Sequence, residues 1–179
     1  VAFSLKEIFL LFSFEDIARL FNVFINWGLM MALLFNLVSY SAPEKRDSSP
    51  LRLCMVLVLS YLSTYYLEWN RYMYLYWSLA DAATISLLYL VQLRKKKIAA
   101  LYYCIAGLTV NCLLHLWVYY DLYITGTEEY WWLWSLYPLS VNVIDAIIIT
   151  ALIINRDFLG LCRAARSFRG KWLGFAPNS

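Results

Sequence analysis

A few polar side chains sit deep inside apolar stretches of this chain: Asp81, Asn111, His115, Asn142 and Asp145, with Glu68 nearer the edge of its own stretch. Asn111 and His115, four apart, share one face of a helix, and Asn142 and Asp145, three apart, share another. A bundle that turned these faces together would gather two carboxyls, two amides and an imidazole in its interior. In hydrocarbon a carboxylate is costly unless it is protonated, paired or hydrated. No lysine or arginine stands at the same depth in the sequence to pair with Asp81 or Asp145. Such a cluster can bind a cation or relay protons, with His115 and Glu68 leading toward one surface. The competing expectation is structural, with the same groups bonding helices to one another or to a second subunit.

Catalysis has little to rest on. Asp81 and Asp145 could form an intramembrane aspartyl pair sharing one proton, but their flanking residues add nothing to that chemistry. No GxSxG, HExxH, P-loop or dinucleotide fingerprint occurs. A single histidine excludes a His-rich metal centre. Cys54, Cys104, Cys112 and Cys162 lack the spacing of a zinc site or redox pair and read as buried free thiols. The expectation is a non-enzymatic protein with no cofactor and no metal.

The elements that must position these residues are membrane helices. The chain of 179 residues is 63% hydrophobic and 15% charged, against about 25% charged in an ordinary soluble domain. The apolar runs predict an all-α polytopic bundle of five spans, at about 17–40, 51–69, 72–93, 98–119 and 131–154. An interfacial N-terminal segment covers 1–16, the bundle 17–155, and a basic tail 156–179. Four spans result if 17–40 lies partly flat, since Asn22, Asn26 and Asn36 weaken its insertion. Asn22 and Asn26, one turn apart, are expected to face a neighbouring helix. Pro138 is expected to start or kink the last helix.

Loops follow at 41–50, rich in proline and serine, and at 120–130, which has no lysine or arginine. The dense tyrosines and tryptophans near 61–77 read as an interfacial belt instead of a ligand cage. No cleavable signal pattern opens the sequence, so the first helix is expected to direct insertion. Loop cations alternate: Lys45, Arg46 and Arg52; then Arg71; then Arg94, Lys95, Lys96 and Lys97; then none; then five in the tail. That asymmetry places the N-terminus outside and the C-terminus in the cytoplasm, in a plasma or inner membrane.

In the tail, Phe158, Leu161, Ala165, Phe168 and Trp172 recur at helical spacing, with Arg163, Arg166, Arg169 and Lys171 between them. This is the pattern of a basic amphipathic helix on a lipid surface, or of a docking segment for a cytoplasmic partner. A net charge of +3 does not suggest nucleic-acid binding. Residues 81–88 (DAATISLL) faintly echo 145–152 (DAIIITAL), as chance or as a parallel hairpin duplication like those of some transporters. Polar residues on several helices lead us to expect self-association. The functional expectation is a sensor or scaffold subunit working with a cytoplasmic partner, for example in a stress or defence system. The alternative is a small transporter or channel for protons or cations built on the Asp81, His115 and Asp145 cluster.

Overall fold

Where water is absent, the only way a single segment can satisfy its own peptide groups is to coil into a helix. The computed structural model describes residues 14–41, 48–64, 72–92, 98–127 and 132–163, and these are helical with no strand among them. The helices are α1 (Phe14–Ser41), α2 (Ser49–Thr64), α3 (Met73–Gln92), α4 (Ala99–Tyr120) and α5 (Trp132–Ile154). Leu20–Ser41 within α1, Met73–Gln92, Ala99–Thr125 and Trp132–Ile154 are long and apolar enough to cross a membrane. The short helix is α2, with 16 residues, and not the first helix, where the sequence placed the doubt; the rest of the expected second span, 65–69, lies outside the described residues.

Each helix packs on the next, and α1 packs on α5, so the chain closes into a ring. Successive helices alternate in direction, which leaves α1 and α5 running the same way. Contact between α2 and α5 crosses the interior. Leu53, Cys54, Leu57, Leu88, Cys104, Leu108, Ile148 and Leu152 are fully enclosed there. Phe24, Trp27, Leu59, Leu90 and Leu113 are exposed on the outside. A surface this apolar suits lipid and not water.

Hydroxyls on the helices bond back to their own backbone, as Ser86 does to the Ala82 carbonyl, Thr109 to Ile105 and Thr150 to Ala146, which satisfies them without a partner helix. Asn22 and Asn26 follow the same rule, against expectation. Asn26 Nδ2 donates to the Asn22 carbonyl at 2.8 Å and to its side-chain oxygen at 2.6 Å, and Asn22 stays exposed. Asn36 is the amide that turns inward, donating to the Leu152 carbonyl at 3.1 Å and approaching Cys54 Sγ at 3.4 Å.

Three boundaries move. Residues 14–16, expected in the interfacial segment, form the first turn of α1, while 1–13 lie outside the described residues. The expected loop at 120–130 begins late, because Asp121–Thr125 carry α4 onward as a π-helical turn that ends at Gly126, φ 70°. Asp121 is buried there and accepts from Thr127 Oγ1 and Trp134 Nε1, both at 2.9 Å, tying the turn to the start of α5. Helix α5 continues through Pro138, in keeping with a proline near the first turns.

The tail helix also starts later than its periodicity suggests. Asn155 (φ 48°) and Gly160 (φ 76°) take left-handed conformations that break the helix. Phe158 leaves the expected apolar stripe and stacks on Tyr103, centroids 4.8 Å apart. Tyr103 Oη donates to Asp157 at 3.0 Å and accepts the Leu159 amide. Asp157 then receives the Cys162 and Arg163 amides, both at 3.2 Å, capping the new helix.

Two predictions follow from these contacts. A methyl group on Gly107 would meet Ile148 Cγ1 at 2.9 Å and Ile144 Cγ2 at 3.0 Å, whereas on Gly28 its one contact under 3 Å is the mobile Ile149 Cδ1. Replacing glycine in a helix gains about 1 kcal/mol of propensity, while overpacking costs about 1 to 3 kcal/mol. Thermal unfolding in detergent should therefore show Gly107→Ala destabilised and Gly28→Ala near neutral. The second concerns Asp157. Desolvation pushes its carboxyl up, but the Cys162 and Arg163 amides, the Tyr103 hydroxyl and the Arg163 charge outweigh it and hold it below the ordinary carboxylate value. A lowered value means the cap stabilises the tail junction above the usual carboxylate range and is lost as pH falls through it. The protection of the Cys162 and Arg163 amides, taken as the ratio of intrinsic to observed hydrogen exchange at each pH, should fall in acid, and Asp157→Asn should abolish that pH dependence.

Candidate functional site

One stripe on each of four helices meets inside the ring. From α5, Asp145 points inward, 6% exposed. Its Oδ1 accepts the Tyr61 hydroxyl of α2 at 2.5 Å and the Asn111 amide of α4 at 2.9 Å. Four residues along α4, His115 Nδ1 pairs with the Tyr137 hydroxyl of α5 at 2.7 Å. Its Nε2 lies 3.5 Å from Oδ2 of Asp81 on α3. That separation is ion-pair range but outside hydrogen-bond geometry, and Asp81 Oδ2 has no hydrogen-bond partner. Neither has Asn111 Oδ1, on a side chain only 2% exposed. The two carboxyls lie within Coulombic range of each other.

Aromatic rings cover the end of the site toward Asp121. Trp77 and Tyr137 both pack against the His115 ring with centroids 5.6 Å away, and Tyr74 meets Trp77 and Tyr137 edge-on. These rings are half-buried, so the cover of the site is partly exposed. Toward the other end it stops. One turn beyond Tyr61, Asn111 and Asp145 stand Leu57, Leu108 and Ile148, each fully enclosed. Below Asp81 the Ser60 and Thr84 hydroxyls bond α2 to α3 at 2.5 Å. Among the described residues, buried polar groups beyond that layer include Asn36, bonded to Leu152 and Cys54, and at the far end Arg52 donates to Ser48, Ser49 and Gln92.

The structure thus brings together Asp81, Asn111, His115 and Asp145. Asn142 is not among them. Its Nδ2 donates to the Pro138 carbonyl at 2.7 Å within α5, using the carbonyl a residue before the next turn. Glu68 lies outside the described residues, as do Arg166, Arg169, Lys171 and Trp172; Arg163 is described and exposed. Among the described residues no cluster of His, Cys, Asp and Glu could hold a metal. The four cysteines are free, with Cys54 and Cys104 buried.

Tyr61, Tyr74, Trp77 and Tyr137 were missing from the sequence-derived site. The first three fell in the stretch assigned to an interfacial belt, which Tyr72 and Tyr76 fit, being exposed. A signal was present. Tyr61 follows Leu57 and Cys54 by four and seven residues, and Tyr137 precedes Asp145 by eight, so each lies on the inward stripe of its helix. The faint echo also has a spatial counterpart, because α3 and α5 flank α4 on either side and set Asp81 and Asp145 against its His115 and Asn111 face.

The two carboxyls should respond oppositely to removal. Asp145→Leu orphans the Tyr61 and Asn111 donors, at about 1 to 3 kcal/mol each, whereas Asp81→Leu removes an oxygen that already lacks a partner. Thermal unfolding in detergent should find Asp145→Leu strongly destabilised and Asp81→Leu neutral or stabilised; equal losses would make Asp81 a structural residue. Compared with known proteins, the chain matches no family model, no curated protein and no solved structure.

Proposed function

We propose that this chain is a non-enzymatic integral membrane subunit that senses a proton or small cation through its interior cluster. In this reading all five helices cross the bilayer, with the N-terminus outside and the C-terminus in the cytoplasm, as the loop cations favour. The observation that supports it best is Asp81. Its Oδ2 is buried without a hydrogen-bond partner, near a second carboxyl, and Arg52, Arg156 and Arg163 sit elsewhere, at the other end of the ring or in the tail, while the Arg19 side chain lies outside the described residues. A group placed so expensively is unexplained by packing and suits a binding role.

The enclosed layer of Leu57, Leu108 and Ile148 favours sensing over steady conduction, since it separates the cluster from the polar groups around Arg52. A ligand entering among the aromatic rings would act on helices that continue past that layer toward the tail, where a cytoplasmic partner could read the change. The transporter reading draws on the same cluster and has one observation of its own: the unpartnered Asn111 Oδ1 is a second oxygen ready for a cation. It requires the apolar layer to open.

Vesicles holding the reconstituted protein and an internal pH indicator separate the readings. On external acidification, tryptophan fluorescence should change, because Trp77 lies against His115, while the internal pH follows that of empty vesicles; Asp81→Asn should abolish the fluorescence change. Proton flux lost in Asp81→Asn would favour the transporter. An unchanged fluorescence signal, with no flux, would remove both.

A further inference from the structure

We infer that the ligand is a proton, and that it reaches Asp81 through the Tyr137 hydroxyl and the two nitrogens of His115; this rests on the sensing role given to Asp81. The elements of the route lie in line. Tyr137, half-buried among the rings at the Asp121 end, meets Nδ1 at 2.7 Å, and Nε2 faces the unpartnered Asp81 Oδ2 at 3.5 Å. A hydroxyl and an imidazole each both donate and accept, which lets a proton pass while a metal ion could not. His115, the middle group of the route, has a side chain 9% exposed against 15% for Asp81, while Asn111 at 2% and Asp145 at 6% lie off the route and deeper.

Other groups around the path have fixed tasks. Tyr61 from α2 and Asn111 from α4 are spent on Asp145 Oδ1. Tyr74 and Trp77 from α3 supply ring contacts. Asp81 is therefore the acceptor left for an incoming proton, and His115 the group that faces it.

The transfer balances. With Tyr137 donating to Nδ1, the neutral imidazole carries its proton on Nε2. A proton arriving on the Tyr137 oxygen sends the hydroxyl proton to Nδ1, and the Nε2 proton passes to Asp81 Oδ2, turning carboxylate into carboxylic acid. Tyr137 and His115 both end neutral, His115 in its other tautomer, and one positive charge has cancelled the Asp81 negative charge. The 3.5 Å gap makes the last step the slow one, since it must shorten by about half an ångström for a hydrogen bond.

The test separates rate from equilibrium. Infrared spectroscopy of the full-length protein in lipid, with the Asp81 carboxyl band identified by its loss in Asp81→Asn, gives the equilibrium titration, and a pH jump gives the rate. Tyr137→Phe and His115→Gln should slow the appearance of the band at least tenfold. In Tyr137→Phe the midpoint should move little, because Tyr137 is one group removed from Asp81. Tyr76→Phe, on the exposed face of α3, should leave the rate unchanged. Equal slowing in Tyr76→Phe, or wild-type rates in Tyr137→Phe, would overturn the route. A carboxyl band that never titrates would instead remove the sensing role itself.

Discussion

The constraint on which the rest depends is that an apolar bundle must pair its few polar groups from within. Asp145 shows how. Its single oxygen collects a phenol from α2 and an amide from α4, so one carboxyl from α5 fixes three helices relative to each other. The neighbouring apolar contacts of Leu57, Leu108 and Ile148 could tolerate a sliding of one helix past another; a pair of hydrogen bonds to one atom does not. Asn36 does the same at the other end, where its amide reaches α5 and α2. Between these two polar pins the interior is filled by leucine, isoleucine, alanine and cysteine, whose packing has no direction of its own.

Against that rule Asp81 is the exception, and exceptions of this kind concentrate where a protein works. The other inward carboxyls described have donors, among them the buried Asp121, which accepts from Thr127 and Trp134, and of the amides Asn111 leaves its Oδ1 unpartnered while its Nδ2 holds Asp145. Asp81 has an imidazole at arm's length. The contrast between two aspartates at similar depth, one saturated and one waiting, gives the cluster a polarity that composition alone could not reveal.

Much of this was legible in the sequence and some was not. Helix order, the turning points near proline and charge, and the inward positions of Asp81, Asn111, His115 and Asp145 follow from hydropathy and from three- and four-residue spacing. Asn142 shared the Asp145 face by the same arithmetic, yet bonds to Pro138, because a side chain one turn past a proline carbonyl has a local acceptor that face-counting ignores. Asn22 and Asn26 satisfied each other along α1 for a similar reason. Tyrosine was the harder case. Its ring suits an interface and its hydroxyl suits a buried carboxylate, and only the neighbours that Tyr61 meets across the ring decide between them. The tail misled through Phe158, whose position in the apolar repeat is real but whose ring is taken by Tyr103.

The closure of α1 onto α5 bears on how the molecule is made. Asn36 emerges early in synthesis, while the Leu152 carbonyl it bonds is 116 residues later in the chain. Until then the first helix has only α2 beside it, and within its own helix the Asn36 amide has the Ala32 carbonyl, 2.8 Å away, as its acceptor. Assembly is therefore completed from the last helix backward: arrival of α5 supplies at once the Leu152 acceptor for Asn36, the wall against Gly28 and the carboxyl that gathers Tyr61 and Asn111. A nascent chain halted before that helix would hold four helices and no finished interior.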